Sequence, residues 1–322
     1  MSTVPQTTST PDIIADKSRR AVRDLLERLQ FTAPSFSRDH VLESRVVDVL
    51  RGWGRDMFAL LRPYVPPAII MTITGYHHIT DIDVKVKIAL FSCLITGVDD
   101  MSVLGSSVVR DFHHRLCVGF MQYDTGVMGR LMQTLSAMWP FYPEFSATSI
   151  FTSVTRVVNG CMLEQISGKP GIVSSSDALP FIAYRRDMSG LGEAFAYFIW
   201  DKKNFPDVEL YIQAIPDICW FLCYINDILS FYKEELAGET SNYMSDRSRA
   251  SGDSAQETLQ KVIDETISIV ERVRNILGEG PVRDAWESFA KGYITFHTHN
   301  PRYRLKELIE CEYIVVDGID YV

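Results

Sequence analysis

Apolar residues recur every three or four positions along almost the whole of this 322-residue chain. Val22, Leu25 and Leu29 are an early example, and such spacing places apolar side chains on one face of an α-helix. Strand signals are sparse, since the one plausible hairpin turn is Asp317-Gly318 near the C-terminus. The pattern therefore predicts an all-α fold.

Short breaks rich in glycine, proline or serine separate the helical segments, at 167–171, 204–206 and 278–281. None is long enough for a domain linker, so we expect a disordered tail at 1–11 and a single domain at 12–322, with about ten to twelve helices. The helical segments begin at Ile13 and then cover 39–62, 82–103, 106–121, 125–139, 145–167, 178–200, 207–236, 255–278, 282–299 and 302–313.

Two segments, 84–98 and 211–231, are apolar over most of their circumference and are expected to be buried helices. Central helices surrounded by outer ones can enclose a cavity, and polar side chains inside them then need partners. By contrast, the stretch 238–254 is rich in serine, glycine and charge, and is expected to form a mobile loop or a lid.

Composition and charge indicate which partners and which cellular compartment the protein can have. The chain is 46% hydrophobic and 23% charged, which is globular, and its net charge of -9 argues against a nucleic-acid partner. The six cysteines lie mostly in apolar surroundings and are expected to be free thiols in a reducing compartment. The polar start lacks a signal-peptide pattern, and no apolar run reaches membrane-spanning length. We therefore expect a cytoplasmic protein with no membrane span.

The stretch NDILSFYKEE at 226–235 places polar side chains on an otherwise apolar helix. Asn226, Ser230 and Glu234 follow one another at four-residue steps, so they share one helix face. Their amide, hydroxyl and carboxylate oxygens suit a hard cation such as Mg²⁺, whereas Asp227 points about 100° away. A solvated stripe on a surface helix would show the same spacing, so both interpretations stay open.

A second acidic pair and several basic residues could complete such a site. Asp99-Asp100 ends the apolar segment IALFSCLITGV, where buried carboxylates are costly unless they are paired or liganded. Arginine side chains match phosphate oxygens bidentately, but each basic residue taken singly is typical of a protein surface. The basic candidates are Arg185, Arg186, Lys233, Arg302 and Arg304.

The segment NDILSFYKE fits the pattern N-D-x-x-S-x-x-x-E of class I terpene cyclases. Together with RRDMSGLG and PRYRL, in this order, it resembles the fungal trichodiene synthase family from about Ile79 to Ile309. The resemblance implies a single-domain α-helical isoprenoid-synthase bundle around a hydrophobic cavity. It also implies a sesquiterpene synthase that ionises farnesyl diphosphate with three Mg²⁺ ions and cyclises the cation, and it leaves homodimerisation open.

Site residues carry over from the resemblance one by one. The implied metal ligands are Asp99, Asn226, Ser230 and Glu234. The implied diphosphate contacts are Arg186, Lys233, Arg302 and Tyr303. Gly190 and Gly192 would break their helix and expose backbone carbonyls toward the cation.

Aromatic rings could stabilise a carbocation through cation–π contact, although core packing is the commoner role of any single ring. A subset must line the pocket if the function is right. The candidates are Phe91, Phe195, Trp220, Tyr224, Phe289, Tyr293 and Phe296.

Two departures from the family pattern stand out. The aspartate-rich motif reads DDMSV, so Val103 replaces an outer acid, which could weaken metal binding or alter closure. The basic motif reads NPRYR, so Asn300 and Pro301 replace an acid and an arginine, and one salt bridge expected on closure is in doubt.

Two rival functions remain. A chain-elongating prenyltransferase would carry a second aspartate-rich motif at the position of Asn226, and the sequence lacks it there. A degenerate, non-catalytic homologue that binds isoprenoids is kept open by the acid lost at Val103.

Overall fold

The computed structural model describes residues 10–100, 110–167 and 175–316. Within these ranges the chain is helical and contains no strand, which confirms the all-α prediction. The α-helices are α1 (Thr10–Arg28), α2 (His40–Gly52), α3 (Arg55–Leu61), α4 (Val65–Gly75), α5 (Ile82–Asp99), α6 (110–117), α7 (Val127–Met138), α8 (Glu144–Ser167), α9 (Leu179–Ser189), α10 (Gly192–Tyr197), α11 (Ile215–Ala237), α12 (Tyr243–Ser251), α13 (Ala255–Leu277) and α14 (Pro281–Thr298).

Helices α5 and α11 are buried along most of their length, as their apolar sequences predict. Helix α4 packs against α5 and α14, while α11 packs against α1, α10 and α13. Helix α8 packs against α9 and α10 and completes the ring of helices around the centre. These contacts bring α4, α5, α8, α11 and α14 around one interior space.

Helix starts follow local capping chemistry. The Asp81 carboxylate accepts a hydrogen bond from the backbone N–H of Asp83 at the start of α5. Ser254 and Glu257 form a reciprocal capping box at the start of α13. Helix α11 ends at Gly238, whose φ of 69° is the left-handed conformation that glycine adopts without steric cost.

Helix α4 was missed in the sequence because its prolines suggested a break. Pro66 and Pro67 lie in its first turn, where backbone N–H groups have no helical partner and proline is tolerated. The helix predicted over 178–200 is interrupted between α9 and α10, as the glycines there indicated.

The prediction of a mobile loop at 238–254 was wrong, since the segment contains α12. Asn242 caps this helix, and its Oδ1 accepts a hydrogen bond from the backbone N–H of Ser245. The Arg185 guanidinium forms an ion pair with Asp246 and thereby ties α12 to α9. Polar composition misled the prediction because α12 is stabilised by a cap and ion pairs more than by an apolar face.

The helix predicted over 302–313 was also wrong. Two single turns, Pro301–Tyr303 and Leu305–Glu307, stand in its place. Arg304 between them has a φ of 59°, and this left-handed conformation stops a helix from continuing. Beyond these turns, residues 310–316 have no regular secondary structure.

Several expectations fall outside the described residues. These are residues 1–9 of the expected tail, the hairpin at Asp317-Gly318 and the motif position Val103. Of the expected tail at 1–11, the described part already belongs to α1, which begins at Thr10.

Two helical stretches, Arg55–Gly75 and Ile212–Ala237, are long and apolar enough to cross a membrane. The expectation that none reaches this length was therefore wrong. Buried residues make up 61% and 78% of the two apolar windows, as expected for core helices of a globular domain.

Candidate active site

An apolar cavity and a polar chamber share one wall at the centre of the bundle. The cavity measures about 240 Å³ and the chamber about 430 Å³. Residues common to both linings are Asp99, Arg186, Ser189 and Asn226. Charged groups therefore lie directly at the mouth of an apolar space.

Helix α11 contributes its polar face to the chamber. Asn226 and Glu234 line it, whereas Ser230, which lies between them on the same face with only 1% of its surface exposed, is not among the described residues lining either space. The Ser230 Oγ is buried and has no hydrogen-bond partner in the structure. An unpaired buried hydroxyl between an amide and a carboxylate fits an oxygen-coordinated cation, which would supply the missing partner.

The donor set is poor in carboxylates. Among the described residues, no three His, Cys, Asp or Glu side chains converge as a metal-binding group. A cation held by α11 would therefore depend on the amide oxygen of Asn226 and the hydroxyl of Ser230 as well as on Glu234.

Asp99 and Asp100 point to different partners. Asp99 lines both spaces and is open to them, yet desolvation by the surrounding protein raises the pKa of its carboxyl while Arg302 and Arg186 act to lower it. Asp100 instead accepts a hydrogen bond of 2.8 Å from the Tyr64 hydroxyl. The structure thus separates one chamber-facing aspartate from one structural aspartate.

Arg186 is held by α11. Its Nη2 lies 2.8 Å from Asp227 Oδ1, and its Nε donates to Asp227 Oδ2 at 3.0 Å. The same Nη2 donates to the Asn226 Oδ1 at 3.3 Å and to the Cys223 carbonyl at 3.2 Å. Burial raises the pKa of Asp227 to about 6, although the Arg186 guanidinium acts in the opposite direction. Asp227, which the sequence placed away from the metal face, therefore anchors the chamber's central arginine.

Some of the remaining diphosphate-contact and basic candidates line the site, and others do not. Arg302 and Tyr303 line the apolar cavity close to Asp99. Lys233 is not among the described residues lining either space, and its Nζ donates to Glu234 Oε1 at 3.1 Å. Arg304 pairs with Glu307 at the surface and is not brought to the site.

Of the seven aromatic candidates, three line the apolar cavity: Phe195, Tyr293 and Phe296. Phe91 packs edge-on against Phe195 behind this wall, at a ring distance of 5.9 Å. The break between α9 and α10 also reaches the cavity through Gly190 and Leu191. A β-carbon at Gly190 would come within 2.6 Å of the Cys223 Sγ, so the close approach of α9 to α11 requires glycine there.

Sequence reasoning missed the contribution of the 238–254 segment to the chamber. Glu239, Ser241, Asn242 and Tyr243 all line it. The Asn242 side chain donates from Nδ2 to Glu234 Oε2 at 3.0 Å while its Oδ1 caps α12. An asparagine directly before a helix was the available signal.

Comparison with known proteins decides the family. Residues 45–314 match the family model described as Trichodiene synthase (TRI5). The chain belongs to the trichodiene synthase family. It is accordingly a class I terpene cyclase, a lyase that releases diphosphate.

Two similar terpene synthases come from Postia placenta and Gibberella zeae. Monoterpene synthase 25 from Postia placenta is 47% identical over 294 residues, covering 91% of this chain and 87% of the relative. Longiborneol synthase CLM1 from Gibberella zeae is 34% identical over 237 residues, covering 72% and 69% of the two chains.

Solved structures confirm the fold of this terpene synthase. The crystal structure of linalool/nerolidol synthase from Streptomyces clavuligerus, in complex with 2-fluorogeranyl diphosphate, superposes with a TM-score of 0.62 at 17% identity. The match covers 85% of this chain and 99% of the bacterial one. At this identity the likeness is one of helical architecture.

Proposed function

We propose that this terpene synthase ionises farnesyl diphosphate in a Mg²⁺-dependent step and cyclises the resulting cation to a sesquiterpene. The observation that carries the proposal is the shared wall, where Asp99, Arg186 and Asn226 border both the polar chamber and the apolar cavity. A prenyl diphosphate has the same division into a charged head and an apolar chain. Its scissile bond would lie at this wall.

The chamber residues would hold the diphosphate and its metals. Asp99 on one side and Asn226, Ser230 and Glu234 on the other would bind Mg²⁺, which supplies neutralisation of the leaving diphosphate. Arg186 and Arg302 would donate hydrogen bonds to diphosphate oxygens, and Tyr303 and Lys233 would add further donors. The Asp227 carboxylate fixes the direction of the Arg186 fork.

The cavity residues would hold the hydrocarbon chain and exclude water. Phe195, Tyr293 and Phe296 present aromatic surface to the interior, where a cation is stabilised by the ring quadrupole. Leu191 and Leu222 add aliphatic wall that cannot accept a proton or attack a carbocation. These walls would direct the chain to fold before ring closure.

Geranyl diphosphate is a second candidate substrate, and one observation favours it. The relative at 47% identity carries the name monoterpene synthase, which refers to a ten-carbon product. The relative named longiborneol synthase is more distant at 34% identity. The two substrates would use the same chamber and differ in how much of the cavity they fill.

The test is a direct comparison of substrates. Purified enzyme and Mg²⁺ are incubated with geranyl, farnesyl or geranylgeranyl diphosphate, diphosphate release is measured, and volatile products are identified by mass spectrometry. We expect the highest kcat/KM with farnesyl diphosphate and a cyclic fifteen-carbon product. A preference for geranyl diphosphate would replace the sesquiterpene proposal, and no diphosphate release from any substrate would favour a non-catalytic isoprenoid-binding protein.

All six cysteines are free thiols in the structure, which suits a reducing compartment. We propose that the enzyme is cytoplasmic, which microscopy of the fluorescently tagged protein would test, and a tag found within an organelle or outside the cell would contradict it.

A further inference from the structure

A buried histidine of α14 lies against the proposed metal-binding face of α11. His297 has 0% of its surface exposed. Its ring lies 4.6 Å from the Tyr293 ring, 5.0 Å from that of Phe296 and 4.5 Å from that of Tyr303. An imidazole caged by aromatic rings is held in the neutral form, because burial disfavours its charged form.

Hydrogen bonds fix the tautomer of His297. Its Nδ1 lies 2.8 Å from the Tyr293 carbonyl oxygen, which can only accept, so the proton resides on Nδ1. The neutral ring then has a lone pair on Nε2, which lies 3.2 Å from the Nδ2 of Asn226. The Asn226 amide must therefore donate through Nδ2 to the histidine.

This bond determines which way the Asn226 amide faces. With Nδ2 directed at His297, the Oδ1 faces Arg186, whose Nη2 donates to it at 3.3 Å. A flipped amide would place two acceptors together at His297 and two donors together at Arg186. Both neighbours thus favour the same orientation, with the oxygen directed at Arg186, which borders the chamber.

Orientation matters at this position because the residue is an amide. A carboxylate presents an oxygen whichever way it rotates, whereas an amide presents either an oxygen ligand or an NH₂ group that cannot bind a cation. Arg186 shares the same oxygen and is itself a proposed diphosphate contact. His297 makes its contact at Nδ2 and so does not occupy the oxygen.

We propose that His297 is a positioning residue that holds the Asn226 amide oxygen toward the polar chamber, in the orientation that a divalent cation requires. The role rests on the metal site proposed above. His297 touches neither substrate nor metal in this scheme and acts through Asn226 alone.

The test measures metal binding without turnover. Mn²⁺ alone, and then Mn²⁺ with inorganic diphosphate, is titrated into the enzyme and bound metal is followed by electron paramagnetic resonance. His297→Leu removes the acceptor, and we expect Mn²⁺ affinity to fall about 10-fold or more, as for loss of other groups that orient a metal ligand. His297→Gln can still reach Asn226 with an amide oxygen and should stay within about threefold of wild type.

Two controls separate this role from packing. His78 is a partly buried histidine whose ring bonds to the Ile199 carbonyl at 2.9 Å, and it lines neither the cavity nor the chamber. His78→Leu should leave Mn²⁺ affinity unchanged. If His297→Leu does not fold, His297→Asn replaces it, because this shorter amide can reach Tyr293 but not Asn226 and should weaken Mn²⁺ binding where His297→Gln does not.

A second background tests the orientation argument itself. In Asn226→Asp, either rotation presents an oxygen, so adding His297→Leu or His297→Asn should no longer weaken Mn²⁺ binding. Three results would each overturn the role of His297. These are wild-type Mn²⁺ affinity in His297→Leu and His297→Asn, a loss of affinity in His78→Leu equal to that in His297→Leu, and an undiminished loss when either His297 variant is combined with Asn226→Asp. Failure of the wild-type enzyme to bind Mn²⁺ would instead overturn the metal site on which that role depends.

Discussion

The polar chamber and the apolar cavity share a wall, yet they are built in different ways. The chamber takes its chemistry from a few side chains at fixed helical spacing, as with Asn226 and Glu234 on α11. The cavity is lined from α4, α5, α8, α9, α10, α11 and α14 together, so its shape depends on how these helices pack. The polar face of α11 can therefore be predicted from local spacing, whereas the chamber's partners on other helices and the shape of the cavity depend on how distant helices pack.

The largest expected effect lies in the chamber. Asp99→Ala and Asn226→Ala should each lower kcat/KM by about 10³-fold, because each removes an oxygen ligand proposed for the cation. Diphosphate release measures the loss, and circular dichroism should show an unchanged helical fold. Asp100→Ala is the matched control, since Asp100 binds Tyr64, and it should lose less than about tenfold. Equal losses at positions 99 and 100 would contradict the division between them.

Next comes the ion pair of Asp227 with Arg186, whose two largely buried side chains line the chamber. Asp227→Asn leaves the Arg186 guanidinium without its charge partner and should destabilise the fold by about 3 kcal/mol. Chemical denaturation measures the free energy of unfolding. The control is Asp217→Asn. Asp217 lies on α11 like Asp227, but its ion pair with Arg272 of α13 is exposed, so the loss should be less than about 1 kcal/mol. If Asp227→Asn lowers the free energy of unfolding by no more than Asp217→Asn does, the ion pair of Asp227 with Arg186 is not shielded from water as proposed.

A smaller effect concerns His78, which lies outside both spaces. Burial lowers the pKa of His78 to about 4 from the usual 6.5, so the folded state resists protonation that the unfolded chain accepts. This group therefore destabilises the fold as the pH falls from about 6.5 toward 4, and has no such effect above that range. Relative to pH 7.5, wild type should lose about 2 kcal/mol more than His78→Gln at pH 5. Parallel stability curves for the two proteins would contradict this.

The smallest change in rate is expected in the cavity. Phe195→Leu alters the wall while keeping it apolar, so total turnover should fall by no more than about tenfold whereas the product mixture should change. Phe198→Leu is the control, since this ring packs behind Phe195 at 6.0 Å and does not line the cavity. Gas chromatography with mass spectrometry resolves the products. An unchanged product mixture from Phe195→Leu would contradict the proposal that the cavity wall determines the product while the chamber determines the rate of ionisation.

What could be predicted from the sequence follows the same division. The shared face of Asn226, Ser230 and Glu234 was readable because helical periodicity alone places side chains four residues apart together. The contact of Asp227 with Arg186 was not, because it depends on the approach of α9 to α11. His297 gave no signal at all, since its role follows from a bond between two helices.

Errors in the fold had equally specific causes. Prolines hid α4 because their position in a first turn, where they are harmless, resembles a break in the sequence alone. Helix α12 was hidden because its stabilisation comes from Asn242 and from the ion pair of Asp246 with Arg185, which polar composition does not reveal. The turns after Asn300 were not predicted because arginine has no preference for the left-handed backbone conformation that Arg304 adopts.

The two bonds of Asn242 set a limit on the length of the chain around it. One amide caps α12 and binds Glu234 of α11, and only residues 238–242 separate the two helices. Surface loops usually tolerate extra residues at small cost, but an insertion here would move the cap away from the carboxylate that it contacts. Engineers seeking a permissive site for tags or permuted termini should prefer the turn at 278–280 and leave this connection at its natural length.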